Sequence, residues 1–285
     1  MEPLVSGIFG VPWETYATSP AVAAAIATGI KLVGLFHLDC AFAAWRCRPE
    51  YSATSTPAAF VRWPGVLLIA GSLELTFLAY CAYRDRVYRV GEFVEHASQF
   101  ALPLLLALAA FGTLTTERLL FALRVAVACT FAGHGLYAVG FYPVPGEWIT
   151  MTMAATGLSE SSAFTFLEIA GLLDFTVAAA VFAPTLPIAR FVFGYAAAWG
   201  LLTALARPVA FVRWDNLADS SAQWLHEAIL RLPHAALPLA ALWLLRVRFA
   251  DTPMTSPPQS APDLTLPPFA LPRIHRTPSS DQPTA

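Results

Sequence analysis

The sequence predicts an all-α, polytopic membrane helix bundle of seven transmembrane helices, with the N-terminus outside and the C-terminus inside. Three observations carry this reading: an apolar composition, seven apolar segments of membrane-spanning length, and an unequal distribution of arginines between the two sides. Of 285 residues, 57% are hydrophobic and 13% charged, with a mean hydropathy of +0.58, which leaves too little charge to coat a soluble domain. A net charge of -2 supplies no basic field for phosphate backbones, so no nucleic-acid partner is expected and the first partner is the lipid bilayer.

A span needs roughly 20 mainly apolar residues to cross a hydrocarbon core about 30 Å thick. Residues 1–20 carry Glu2 and no basic cluster, and the first long apolar run starts near Ala21, so they form an extracytoplasmic segment rather than a cleaved signal peptide. Span 1 is predicted at 21–45, with Lys31, His37 and Asp39 inside it, and span 2 at 64–83, with Glu74. Span 3, at 93–113, holds Glu95, His96 and Gln99; span 4, at 119–141, holds Arg124 and His134. Span 5, at 162–183, holds Glu168 and Asp174; span 6, at 187–206, ends beside Arg207. Span 7, at 222–245, contains His226, Glu227, Arg231 and His234.

The stretch between spans 4 and 5, YPVPGEWITMTMAATGLSESS, is too long for a tight turn and is expected to lie on the outer surface as a short interfacial helix covering a site below. The chain from 251 to 285 is rich in Pro, Ser and Thr and is expected to be a disordered cytoplasmic tail, because it cannot bury enough apolar area to offset its ordering entropy.

With the N-terminus outside, the inner side collects Arg46, Arg48, Arg62, Arg118, Arg190, Arg246, Arg248, Arg273 and Arg276; the outer side has Arg84, Arg86, Arg89, Arg207 and Arg213. That excess fits the positive-inside rule. Lys31 is the only lysine among 17 Lys and Arg, and alanine is abundant, a pattern of GC-rich bacterial genomes that points to the bacterial cytoplasmic membrane. Cys40, Cys47, Cys81 and Cys129 form no Cys-x-x-Cys pair and read as small core residues.

Ionisable side chains inside a membrane normally face the bundle interior and pair with one another. Glu227, Arg231, His234 and Pro238 stand at i, i+4, i+7 and i+11, one stripe of a helix, and the first two are spaced for an ion pair. Glu92, His96, Gln99 and Pro103 repeat the spacing, and QFALPL parallels HAALPL, which raises the prospect of an internal repeat. Measured from the outer ends, Glu95, His96, Gln99, His134, Glu168, Arg207, His226, Glu227 and Arg231 all fall in the outer half of the membrane and suggest a shared, outward-opening polar cavity, for which His134, Glu168, Glu227, Arg231, His96 and His234 are the candidate residues. Glu74 and Asp174 join it only if it is deep. Snorkelling at the span ends and plain helix-to-helix pairing are the competing explanations.

Several histidines at one depth make haem a candidate cofactor. No zinc-like spacing, no Cys-x-x-Cys-His, no Gly-x-Ser-x-Gly, no P-loop and no His-Glu-x-x-His is present, so no metal site and no catalytic residue is assigned.

LRVAVACTFAGHGLYAVG, then LEIAGLLDFTVAAAVFAP, then ARFVFGYAAAWGLLTALAR resemble the DoxX-like family of bacterial integral membrane proteins. That resemblance implies a four-helix unit in spans 4 to 7, with Arg124, His134, Gly135, Glu168 and Gly171 at the family's most recognisable positions. The family includes the membrane subunit of thiosulfate:quinone oxidoreductase. The resemblance therefore implies an accessory or redox-linked membrane component, contact with quinone or a small solute, and other membrane redox subunits as partners. Three additional N-terminal spans and a tail depart from the pattern. A non-catalytic scaffold and a small-solute or proton-coupled transporter are the rival functions.

Overall fold

The computed structural model describes residues 10–47 and 58–250. The predicted tail, and the first part of the N-terminal segment, lie outside the described residues. Among the described residues every regular element is helical: α1 Trp13–Thr18, α2 Pro20–Arg46, α3 Ala58–Asp85, α4 Val90–Glu95, α5 Ala97–Ala110, α6 Thr116–Ala138, α7 Gly146–Thr156, α8 Glu160–Ala180, α9 Leu186–Phe211, α10 Leu217–Arg231 and α11 Pro233–Ala250, with one turn of 3-10 helix at Trp214–Asn216.

Local chemistry sets several of these boundaries. Ser19, Thr115 and Ser159 each accept a backbone N–H of the first turn of α2, α6 and α8, satisfying a donor that a helix start leaves without a partner. Gly157 ends α7 with φ 74°, a left-handed cap that glycine adopts without strain. Between α3 and α4, Val87 and Tyr88 hold φ 53° and 59° without being glycine, an uncommon conformation that turns the chain within four residues.

Six helices are long and apolar enough to cross a membrane: Pro20–Arg46, Trp63–Asp85, Thr116–Ala138, Glu160–Ala180, Leu186–Phe211 and Gln223–Val247. They coincide with six of the seven predicted spans and make this a helix bundle compatible with a multi-pass membrane protein. The third predicted span is not one helix. It is α4 followed by α5, broken at His96, and α5 is shorter than the six. The predicted span 7 is likewise interrupted, at Leu232, between α10 and α11.

One core lies where α6, α8, α9 and α11 meet, built from Leu123, Val127, Phe131, Val177, Phe193 and Leu237 among others. Small residues allow this packing. A Cβ on Gly171 would sit 2.8 Å from that of Ala138, and one on Gly135 would sit 3.1 Å from the Gly171 carbonyl oxygen, so α6 and α8 touch through their glycines. A second, smaller core joins α2, α3 and α5 around Cys40, Ala43, Leu68 and Ala107, consistent with the reading of Cys40 as a small core residue. On this side His37 of α2 and Glu74 of α3 lie 3.2 Å apart.

Candidate functional site

Two glycines bring the polar side chains together. A Cβ on Gly200 of α9 would lie 2.4 Å from the His234 carbonyl oxygen, and one on Gly133 of α6 would lie 2.5 Å from the Glu95 backbone nitrogen. Only glycine lets α11 and α4 approach this closely. As a result His134, next to Gly133, and His234 stack face to face, with ring centroids 5.1 Å apart and planes 12° from parallel. Trp148 of α7 meets the His134 ring edge-on at 5.8 Å. Both imidazoles are buried, at 9% and 2% exposure.

Arg207, near the end of α9, is 3% exposed and binds two carboxylates. Its Nη2 donates to Glu147 Oε1 of α7 at 2.9 Å, and its Nε lies 2.6 Å from Glu227 Oε2 of α10. A buried guanidinium needs such partners, since an isolated buried charge costs several kcal/mol. Arg207 therefore clamps three helices at one end of the bundle. Arg231 is different: it has no carboxylate within ion-pairing distance among the described residues, although Glu95, Glu227 and Glu147 stand close enough to influence it.

Arg231, Arg207 and His134 line one end of a cavity of about 400 Å³. Its walls are mostly apolar, from Trp148 and Met151 of the covering α7 to Leu167 and Ala170 of α8 and Ala206 of α9. Deeper in lies Asp174, 4% exposed, beside the Trp199 indole and with no hydrogen-bond partner for its Oδ1 among the described residues. Phe166 on α8 and Leu202, Leu205 and Val209 on α9 line the cavity and are also exposed on the outside of the bundle. The cavity thus opens sideways between α8 and α9, onto a surface of apolar side chains.

Of the six predicted cavity residues, His134 and Arg231 line this cavity. His234 and Glu227 stand one layer behind, the first against His134 and the second against Arg207. His96 belongs to a neighbouring cluster with Glu92 and Glu95. Glu168 is exposed on α8 and does not line the cavity; Leu167, Ala170 and Asp174 are the α8 residues that point there. The expected pairing of Glu227 with Arg231 is replaced by Glu227 with Arg207, because the guanidinium arriving from α9 is the more deeply buried and requires a second anion. The continuous stripe of span 7 is interrupted at Leu232, between Arg231 and His234. The short helix expected to cover the site is present as α7.

Glu147 and Trp199 escaped the sequence reading. A carboxylate in a polar connection and a tryptophan in an apolar stretch are ordinary there, and only the tertiary approach of α7 and α9 gives them roles. Asp174 was tied to the depth of the cavity, and the cavity reaches it.

The histidine pair does not have the geometry of axial haem ligation. Axial imidazoles aim their nitrogens at one iron from opposite sides, whereas these rings lie face to face at 5.1 Å and leave no room for a macrocycle between them. No protein-family model, no curated protein and no solved structure matches the chain.

Proposed function

We propose that the protein binds a membrane-soluble small molecule of the quinone class in the cavity between α6, α7, α8 and α9, as an accessory component of a membrane redox system. The observation that carries this reading is the sideways opening of an apolar cavity onto the lipid-facing surface, with hydrogen-bonding groups held inside it. A ligand that partitions into the bilayer enters between Phe166 and Leu202 without crossing water, and pockets for such ligands are largely apolar with a few placed polar groups. Arg231 and His134 donate to a carbonyl oxygen of the head group, and Asp174 accepts from a hydroxyl of the reduced form. The Arg207 clamp with Glu147 and Glu227 favours a structural role for those three groups.

The test is a fluorescence titration of the protein in nanodiscs with a short-chain benzoquinone, since Trp148 and Trp199 line the cavity. Saturable quenching is expected, with the apparent Kd raised at least about tenfold, or about 1.4 kcal/mol, by Ala206→Phe, which fills the cavity. Non-saturable quenching that is the same in both proteins overturns the reading.

The finer topology belongs to the same proposal: seven crossings, N-out and C-in, in a bacterial cytoplasmic membrane, with α6, α8, α9 and α10–α11 as a DoxX-like four-helix unit. Support for a seventh crossing comes from α4 and α5 together. They run beside α3 for its length, with Tyr83 against Phe93 at one end and Gly65 against Phe111 at the other.

A further inference from the structure

We propose that Glu92, Glu95 and His96 bind a divalent transition-metal ion of the zinc or manganese(II) class, at the break between α4 and α5. This site is separate from the cavity and does not depend on what the cavity binds. The three residues stand at i, i+3 and i+4, one face of a helical turn, and each brings one ligand atom into a group whose members all lie within 4.8 Å of one another. An ion with tetrahedral ligands at about 2.0–2.2 Å holds them about 3.3–3.6 Å apart, so side-chain rotations that draw the ligand atoms together by up to about 1.5 Å close the set.

A second observation points to the same place. Glu95 is 7% exposed, and its Oε2 has no hydrogen-bond partner among the described residues. Buried carboxylate oxygens are almost always satisfied, and among the described residues no arginine reaches this one within ion-pairing distance. Its other oxygen lies 3.8 Å from His96 Nδ1, but that nitrogen is already engaged with the Glu92 carbonyl oxygen at 2.7 Å. With Nδ1–H donating to a backbone carbonyl, the imidazole lone pair is on Nε2, the arrangement that metal-bound histidines commonly adopt. Tyr137 donates to Glu92 Oε2 at 3.0 Å, which fixes that carboxylate and leaves Oε1 for the ion.

Two carboxylate oxygens and one imidazole nitrogen suit zinc, manganese(II) or iron(II) better than calcium or magnesium, which take all-oxygen sets, or copper(I), which prefers sulfur. Three protein ligands leave a coordination position open, as in catalytic rather than closed structural sites. Gly133 fixes the site's place, since only glycine there lets the Glu95 backbone lie against α6. The competing cation is Arg86, whose Nε is 3.8 Å from Glu92 Oε2 and whose side chain is 43% exposed, free to swing into water when an ion arrives.

The experiment uses the full chain, purified in detergent on an affinity tag without histidine, stripped with chelator and reloaded with cobalt(II), whose visible bands report nitrogen and oxygen ligation. About one cobalt per chain, displaced by zinc, is expected. Glu95→Gln and His96→Gln are each expected to weaken binding at least tenfold, and Arg86→Ala to tighten it. A wild-type protein that retains no cobalt after gel filtration overturns the proposal, as does equal retention by the Glu95→Gln and His96→Gln proteins. Loss of cobalt in His234→Gln with retention in Glu95→Gln also overturns it, by placing the ion at the stacked histidines.

Discussion

Arg207 decides how the charges at this end of the bundle are read. The sequence places it at a span end, where an arginine normally snorkels to water, yet it is 3% exposed and held by Glu147 and Glu227. Truncating it to Met leaves Glu227 partly buried without its partner, and a loss of about 3 kcal/mol is expected, read as a lowered Tm in detergent. Glu147→Gln removes a carboxylate that is 53% exposed and is expected to change stability by less than about 1 kcal/mol. A double-mutant cycle separates the two candidate partners of Glu227. With Arg207 the coupling is expected to reach about 1–3 kcal/mol, and with Arg231 to stay under about 0.5 kcal/mol; the reverse order restores the pairing that i to i+4 spacing alone implies. That spacing shows how a sequence reading goes astray at a site. It records which residues share a face, and it is blind to a guanidinium arriving from a helix twenty residues earlier. Glu168 illustrates the same limit: its type and depth resemble those of a cavity residue, but its direction on α8 is away from the cavity. Glu168→Gln is therefore expected to leave the benzoquinone titration unchanged, and a shifted Kd would place it back at the site.

At the scale of elements, glycine contacts and helix breaks locate the site. Gly200 and Gly133 sit against backbone of α11 and α4 at 2.4 and 2.5 Å, and each contact delivers a buried polar residue, His234 or Glu95. Gly200→Ala forces α9 and α11 apart, because the atom in the way is a backbone carbonyl that cannot rotate aside. The expected outcome is a loss of about 1–3 kcal/mol from overpacking, with the His134–His234 stack widened. Gly194 on the same helix has nothing within 4 Å of an added Cβ, so Gly194→Ala is the control and is expected to be neutral or stabilising by up to about 1 kcal/mol. The two breaks, at His96 and Leu232, fall at nearly matching places in the two segments that share the spacing Glu-x-x-x-polar. Broken helices at membrane depth are tolerated where they line a cavity or lie buried in protein, and both ends here border the polar cluster. Pro233, directly after the second break, is a visible cause; no proline marks the first. Hence the apolar stretches were legible and their continuity was not, since hydropathy averages over a single interrupted turn.

For the whole molecule, the number of crossings fixes which way the site faces. The six long helices alone would put both ends of the described chain on one side of the membrane. If α4 and α5 cross as well, the ends lie on opposite sides, and the cluster of His134, Arg207 and Arg231 faces the side of the N-terminus. The two short helices run over 21 residues, Val90 to Ala110, which at about 1.5 Å per residue reaches about 30 Å, even with a break inside. Their antiparallel packing along α3 argues for the crossing, since a partner that spans obliges its full-length neighbour to span too. The arginine distribution independently favours the same arrangement, apart from Arg84 at the end of α3 and Arg86 and Arg89 in the turn before α4. Reporter fusions test this directly. Green fluorescent protein joined after Phe111 and after Ala250 is expected to fluoresce, as it does only on the cytoplasmic side, whereas alkaline phosphatase joined after Arg89 and after Gly157 is expected to be active. Phosphatase activity after Arg89, Phe111 and Ala250 alike, with fluorescence after Gly157, would mean that α4 and α5 do not cross.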